Sequence, residues 1–139
     1  MTTSTTAAPA STLTVSLPLQ LVSEPNAREY WRLRARRARM QRATVTAFMR
    51  CQHLPVLPVV VTLTRTAPRA FDSDNLAAAF KAVRDGVADA YMLNDRDPRL
   101  TWRYSQRREE AYGIEISITP RRRRPCVAVT PKATVENPR

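Results

Sequence analysis

The sequence predicts a small α/β domain in which a four-stranded mixed sheet packs against two helices. Three short segments alternate apolar and polar residues with the period of β-strands, and a fourth is rich in Val and Thr. Two longer segments place apolar residues three and four positions apart, as amphipathic helices do. Their order is β-α-β-α-β-β, and 43% of the 139 residues are apolar, which suffices for one modest core.

The predicted domain spans residues 12–119. Residues 1–11 are rich in Thr, Ser and Ala and predict a disordered leader rather than a signal peptide. Residues 120–139 include four consecutive arginines and predict a basic, disordered tail. No apolar stretch approaches the roughly 20 residues that span a bilayer. The isolated Cys51 and Cys126 suit a reducing cytoplasm.

The first strand is predicted over residues 13–21, where apolar residues occupy the odd positions. Pro18 cannot donate a ladder hydrogen bond, so we expect an edge strand or an interruption. A long helix is predicted over residues 27–51, after helix-start residues Ser23 to Asn26. Its core face is expected to contain Trp31, Ala35, Ala38, Val45 and Met49.

A cationic stripe is predicted on another face of this first helix. A solvated charged face is the ordinary explanation of such a run, but Glu29 is the only acid that offsets eight arginines. Arginine also binds phosphate bidentately. The predicted nucleic-acid contacts are Arg28, Arg32, Arg36, Arg39, Arg69, Arg103 and Arg107.

Residues 57–64 predict a buried strand, and residues 65–70 a loop. A second helix is predicted over residues 73–90, with an apolar stripe of Leu76, Phe80, Val83, Val87 and Tyr91. At about 100° per residue, the opposite face holds Asp74, Lys81 and Asp85. The alternating runs 100–107 and 112–119 predict a β-hairpin.

Charge is distributed unevenly along the chain. The net charge is +11, and 21 of the 23 basic residues are arginine. Residues 72–97 hold all six aspartates and three basic residues, a net of −3, whereas the other 113 residues have a net of +14. The basic body favours a nucleic-acid partner, although a GC-rich genome also raises arginine content. No basic helix with a large apolar face indicates a membrane surface.

The acidic segment predicts an oxygen-ligand site for Mg²⁺ or Mn²⁺. Asp72 and Asp74 enter the second helix and Asp95 follows it, so three carboxylates could meet at one point. Helix capping, worth about 0.5–2 kcal/mol, would explain one of them but not the set. The polar residues expected to support the site are Asn75, Asp85 and Asn94. One histidine and two glycines provide neither a Ser-His-Asp set nor a glycine-rich phosphate loop.

These residues resemble the RusA family of Holliday-junction resolvases of bacteria and phages. Asp72-x-Asp74-Asn75-Leu76, Lys81-x-x-x-Asp85 and Asn94-Asp95 are similar to the family pattern Asp-x-Asp-Asn-Leu, Lys-x-x-x-Asp, Asp-Asp. The resemblance, which covers residues 13–119, implies a small α/β homodimer. It implies paired nicks in four-way DNA junctions with Mg²⁺ or Mn²⁺ and no small-molecule cofactor. The implied catalytic residues are Asp72, Asp74, Asp95 and Lys81.

Two positions depart from the family pattern. Asn94 replaces the first aspartate of the pair, which removes one charge from the site. Lys81 follows Asp74 by seven residues rather than about four, although both spacings return to one helix face.

Three functions are open on this sequence. The leading hypothesis is a metal-dependent, structure-selective endonuclease in the cytoplasm of a bacterium or phage-infected cell. The second is a non-catalytic junction or duplex binder whose metal site is degenerate. The third is a protein whose arginines bind an acidic partner surface. Trp31, Trp102 and Tyr104 could wedge at a branch point, but core packing is the simpler role.

Overall fold

A mixed four-stranded sheet with three helices confirms the predicted α/β class. The computed structural model describes residues 11–23 and 30–122. Outside these residues lie most of the predicted leader, Arg28, and the tail beyond residue 122 with Cys126. The described elements are β1 (Leu13–Leu17), α1 (Trp31–Arg50), β2 (Val59–Ala67), α2 (Ser73–Ala79), α3 (Lys81–Ala90), β3 (Leu100–Arg108) and β4 (Gly113–Pro120).

The strand order is β1-β4-β2-β3, so the predicted hairpin between the last two strands is wrong. β2 lies between them and pairs parallel with β3 and antiparallel with β4. Val59, Val61 and Leu63 of β2 are fully buried. The most apolar strand thus takes a central position, with a neighbour on each side, and this tertiary pairing overrides the local hairpin pattern.

Two strand ends differ from the sequence prediction. β1 is an edge strand, as expected, but it ends at Leu17, directly before Pro18. β2 continues to Ala67, into the predicted loop, because its ladder with β3 extends to Arg108. Arg65 consequently occupies an inward position of a strand and is only 4% exposed.

One face of the sheet carries the core. Alternate residues of β2 and β4 share this face because their register pairs Val61 with Ile118 and Leu63 with Ile116. The same core cluster contains four fully buried helix residues and Phe80 between α2 and α3; the helix residues are Val45, Met49, Val83 and Val87.

The predicted second helix is divided into α2 and α3 at Phe80, which is fully buried and stacks on Tyr104 with ring centroids 5.9 Å apart. The fully buried residues of α1, Val45 and Met49, lie in its second half. Trp31, Ala35 and Ala38, expected in the core, are exposed, and Trp31 is 64% exposed. α1 has 20 residues and α3 has ten, so α1 is about 15 Å longer than its partner. No described helix is long and apolar enough to cross a membrane.

The contact between α1 and α3 depends on Gly86. A Cβ atom at Gly86 would lie 2.9 Å from both the carbonyl oxygen of Arg42 and the Cβ of Val45. Thr46 reinforces this approach because its hydroxyl lies 3.1 Å from the carbonyl oxygen of Gly86. Because Gly86 has no side chain, the backbones of α1 and α3 can approach each other closely at this point.

Gly86→Ala is expected to lower the free energy of unfolding by about 1–3 kcal/mol through overpacking, as measured by urea denaturation. Alanine is otherwise favoured over glycine by about 1 kcal/mol in a helix interior. Ala47→Gly, at an exposed position of α1, measures that propensity alone. A Gly86→Ala protein more stable than the parent would contradict the close approach.

Candidate functional site

Lys81 joins the start of α3 to the loop that precedes β3. Its Nζ donates hydrogen bonds to Asp85 Oδ1 at 3.0 Å and to Asp95 Oδ2 at 2.8 Å. Arg84 lies almost one turn further along α3, and its Nε is 3.2 Å from the same Asp95 oxygen. Residues three and four apart share a helix face, so α3 directs both cations toward one carboxylate.

The backbone of Asp95 is held as firmly as its side chain. Its carbonyl accepts hydrogen bonds from Trp102 Nε1 at 2.8 Å and from Arg84 Nη2 at 3.2 Å. Arg84 Nη1 also donates to the Tyr104 hydroxyl at 3.0 Å. Trp102 and Tyr104 therefore have packing and anchoring roles, in agreement with the simpler of the two roles considered for them.

Ion pairing sets the charge state of this centre. The hydrogen bond from Lys81, with the nearby positive charges, lowers the pKa of Asp95 despite partial desolvation. The hydrogen bonds to Asp95 and Asp85 raise the pKa of Lys81. Near neutral pH Asp95 is therefore anionic and Lys81 is cationic, so Lys81 is suited to stabilise negative charge rather than to accept a proton.

The start of α2 presents two further carboxylates. Asp72 is the N-cap but makes no side-chain capping hydrogen bond, and Asp74 lies in the first turn. Both side chains are exposed, and neither carboxylate has a hydrogen-bond or ion-pair partner among residues 11–23 and 30–122. Asn75 beside them is half-buried. The helix dipole favours negative charge here, and both groups are open to a ligand.

The predicted metal ligands are chemically suitable, but the structure does not bring all three together. Among the described residues, no three His, Cys, Asp or Glu side chains form a group that could hold a metal ion. Asp95 offers Oδ1, which accepts no hydrogen bond from those residues, and carboxylate oxygens suit Mg²⁺. Coordination by Asp72, Asp74 and Asp95 together stays a prediction.

Asn94 supports its own loop. Its Oδ1 accepts a hydrogen bond from the backbone N–H of Arg96 at 3.0 Å, a local turn that asparagine and aspartate both form. The amide oxygen is therefore engaged with the chain that also carries Asp95.

The two remaining aspartates, Asp89 and Asp97, are ion-paired. Arg42 of α1 donates to both oxygens of Asp89, at 2.6 and 2.9 Å. Arg99 likewise grips Asp97 with two side-chain bonds of 3.0 Å. Sequence reasoning missed Arg42 and Arg84 as partners in this region. The three-residue spacing from Lys81 to Arg84 was a usable signal, whereas the Arg42 contact depends on how α1 packs.

The predicted nucleic-acid contacts are spread over the surface. Arg32, Arg36 and Arg39 are exposed on α1, and Arg69 and Arg103 are exposed elsewhere. Arg32 lies 5.2 Å from the Trp31 ring centroid. The exposed Arg107 is partly neutralised by Glu109 at 2.7 Å and Glu115 at 3.4 Å.

Comparison with models of known protein families gives no match, and no curated protein matches the sequence. The site therefore has to be interpreted from its own geometry.

Lys81→Met is expected to raise the pKa of Asp95 toward its ordinary value of 3.8, because the main hydrogen bond to the carboxylate is lost. Carboxyl-carbon NMR titration measures this directly. In the parent protein, Asp95 contributes to stability fully above about pH 4 and loses that contribution as the pH falls through its lowered pKa. Lys81→Met should flatten this acid-dependent loss.

Arg99→Met is the matched control, since Arg99 makes the corresponding hydrogen bonds to Asp97 and holds down its pKa. It should raise the pKa of Asp97 and leave that of Asp95 unchanged. An unchanged titration of Asp95 in Lys81→Met would contradict the assigned contact.

Proposed function

We propose that this protein is a metal-dependent, structure-selective endodeoxyribonuclease of the RusA type. It resolves four-way DNA junctions by paired phosphodiester hydrolysis during recombination and repair, in the cytoplasm of a bacterium or phage-infected cell. The observation that carries the proposal is the contact of Lys81 with Asp95, 14 residues apart in sequence and 2.8 Å apart in space. Two segments of the RusA-like pattern, Lys81-x-x-x-Asp85 and Asn94-Asp95, are thus in contact. The contact is made by the two residues, Lys81 and Asp95, to which the resemblance assigns catalytic roles.

The proposed roles follow from the charges of the site. Asp72, Asp74 and Asp95 would hold Mg²⁺ or Mn²⁺, with Asn75, Asp85 and Asn94 as supporting groups. When bound, the cation supplies Lewis-acid polarisation of the phosphodiester and a water of lowered pKa. Lys81 stabilises negative charge that develops on the phosphate or the leaving oxygen. Arg84 and Trp102 keep Asp95 in place.

Substrate binding is assigned to the arginines. Arg32, Arg36 and Arg39 along α1, with Arg28 before it, contact phosphates and carry little sequence information. Arg69, Arg103 and Arg107 extend this grip. An exposed thiol at Cys51 is compatible with a reducing compartment.

The proposed enzyme acts as a homodimer because two strands must be cut symmetrically. Exposed apolar side chains support a second copy: Leu33 and Met40 of α1 line a groove of about 450 Å³ with Leu19. Apolar surface of this kind is favourable to cover.

Asp74→Asn is expected to reduce cleavage of a mobile four-way junction by more than about 100-fold, since even groups that only support metal ligands contribute 10–100-fold. The assay measures nicked duplexes in Mg²⁺ and in Mn²⁺. Asp97→Asn is the matched control, because Asp97 pairs with Arg99 outside the proposed ligands and its loss should leave the rate unchanged.

Other results would select the other functions. Cleavage at the parent rate by Asp74→Asn would show that the assigned site is wrong. Junction binding without cleavage in either metal would establish a non-catalytic binder. Failure to bind DNA at moderate salt, or to prefer branched DNA, would favour a protein that binds an acidic partner surface.

The non-catalytic alternative rests on Asn94, and Asn94→Asp tests it. A carboxylate oxygen can accept the same hydrogen bond from Arg96, so the loop should be preserved. One added charge near a divalent cation contributes about 1–2 kcal/mol through water. The concentration of Mn²⁺ that gives half-maximal cleavage should therefore fall several-fold. An unchanged or higher value would mean that the charge missing at this position does not limit metal binding.

A further inference from the structure

Arg65 is a buried cation with no carboxylate partner in the described part of the chain. It is 4% exposed and lies opposite Gln106 near the ends of β2 and β3. Its Nη1 donates to the carbonyl of Arg69 at 2.7 Å, and its Cζ lies 3.5 Å from the Phe71 ring centroid. Its Nε is buried without a hydrogen-bond partner among those residues. Such a group is costly unless a ligand completes its hydrogen bonds.

Arg65 keeps its charge in spite of this environment. Burial lowers the pKa of its guanidinium, but arginine is not deprotonated in proteins. The stack on Phe71 uses the face of the guanidinium, and the donor left without a partner in its plane is Nε. The described chain supplies no acceptor for this donor.

Arg65 lines a cavity of about 330 Å³ at the ends of β2 and β3. Arg69, Arg107, Arg108 and Gln106 also line it, and its described lining contains no carboxylate. Glu109 and Glu115 partly neutralise Arg107 from outside the lining. The side chain of Arg108 is held along the wall because its Nε donates to the carbonyl of Pro68 at 3.0 Å. The cavity concentrates positive charge around a buried donor.

We propose that this cavity binds a phosphate group, with Arg65 as the buried fork that donates to its oxygens. Arginine edges match phosphate oxygens in paired hydrogen bonds. The anion site follows from the buried charge itself. Its assignment to a phosphodiester of the DNA backbone rests on the proposed function.

The cavity adjoins the start of the acidic motif. The side chain of Gln106 holds the backbone of Phe71 with two hydrogen bonds, accepting from its N–H at 2.9 Å and donating to its carbonyl at 2.8 Å. Phe71 also carries the Arg65 stack and directly precedes Asp72. A DNA phosphate bound in the cavity would therefore hold the DNA backbone next to Asp72, the N-cap of α2. This contact would involve no base.

Thermal unfolding in inorganic phosphate, at constant ionic strength and without metal or DNA, tests the anion site. Phosphate should raise the Tm of the parent protein, because a ligand of the folded state stabilises it. Arg65→Met should abolish this rise. In phosphate-free chloride buffer its Tm should equal or exceed the parent value, since an uncompensated buried charge has been removed. Arg69→Met changes an exposed residue of the same lining, so it should fold and should reduce the rise.

Arg99→Met is the control for charge, because it removes one exposed arginine near the start of β3, at the opposite end of the sheet. It should retain the full phosphate-dependent rise. A rise retained in Arg65→Met would overturn the anion site. So would an equal loss in Arg99→Met.

A second measurement identifies the source of the phosphate. For a fluorescent DNA duplex, Arg65→Met should weaken binding by about tenfold and reduce the slope of log K against log salt by about one. Unchanged DNA affinity, with the inorganic-phosphate response lost, would overturn the backbone assignment. Because neither assay requires cleavage, both can succeed or fail independently of the junction-resolving activity.

Discussion

The parallel pairing of β2 with β3 is the constraint on which the other features depend. Parallel neighbours require a crossover, and here α2 and α3 supply it. The chain leaves β2 at Ala67, enters α2 after Asp72 and returns to the start of β3 after Asp95. The returning loop reaches Lys81, at the start of α3. Asp74 lies in α2, on the other side of the break at Phe80. The crossover therefore brings Asp95 to Lys81, while the carboxylates of α2 contact neither residue.

The sequence was sufficient for the fold class and for most elements because period-two and helical patterns report directly on burial. It did not predict the strand order, since the two last runs satisfy a hairpin and a split arrangement equally well. Arg65 ended the predicted strand because a charged side chain looks like a loop residue; its position continues the alternation of Val59, Val61 and Leu63. The α1 face was predicted from spacing alone, and spacing does not say where the core ends.

The candidate site was predictable in its residue types more than in its pairing. Lys81 and Asp85 are one helical turn apart, so their contact follows from the helix itself. The contacts of Asp95 with Lys81 and of Asp89 with Arg42 depend on a loop and on a neighbouring helix. The acidic segment consequently carries much of its charge in compensated pairs, whereas the carboxylates at the start of α2 keep theirs exposed. Net charge along the sequence conceals this division.

The first half of α1 contributes no residue to the hydrophobic core, and this has a thermodynamic consequence. Residues 31–40 have no buried side chain, so unfolding this segment leaves the hydrophobic core intact. Its arginines lie three and four residues apart, and like charges at these spacings destabilise a helix. A polyanion that neutralises them removes this repulsion. Helix formation and the binding of a polyanion to this segment would therefore reinforce each other, and the binding affinity would include a contribution from ordering the chain.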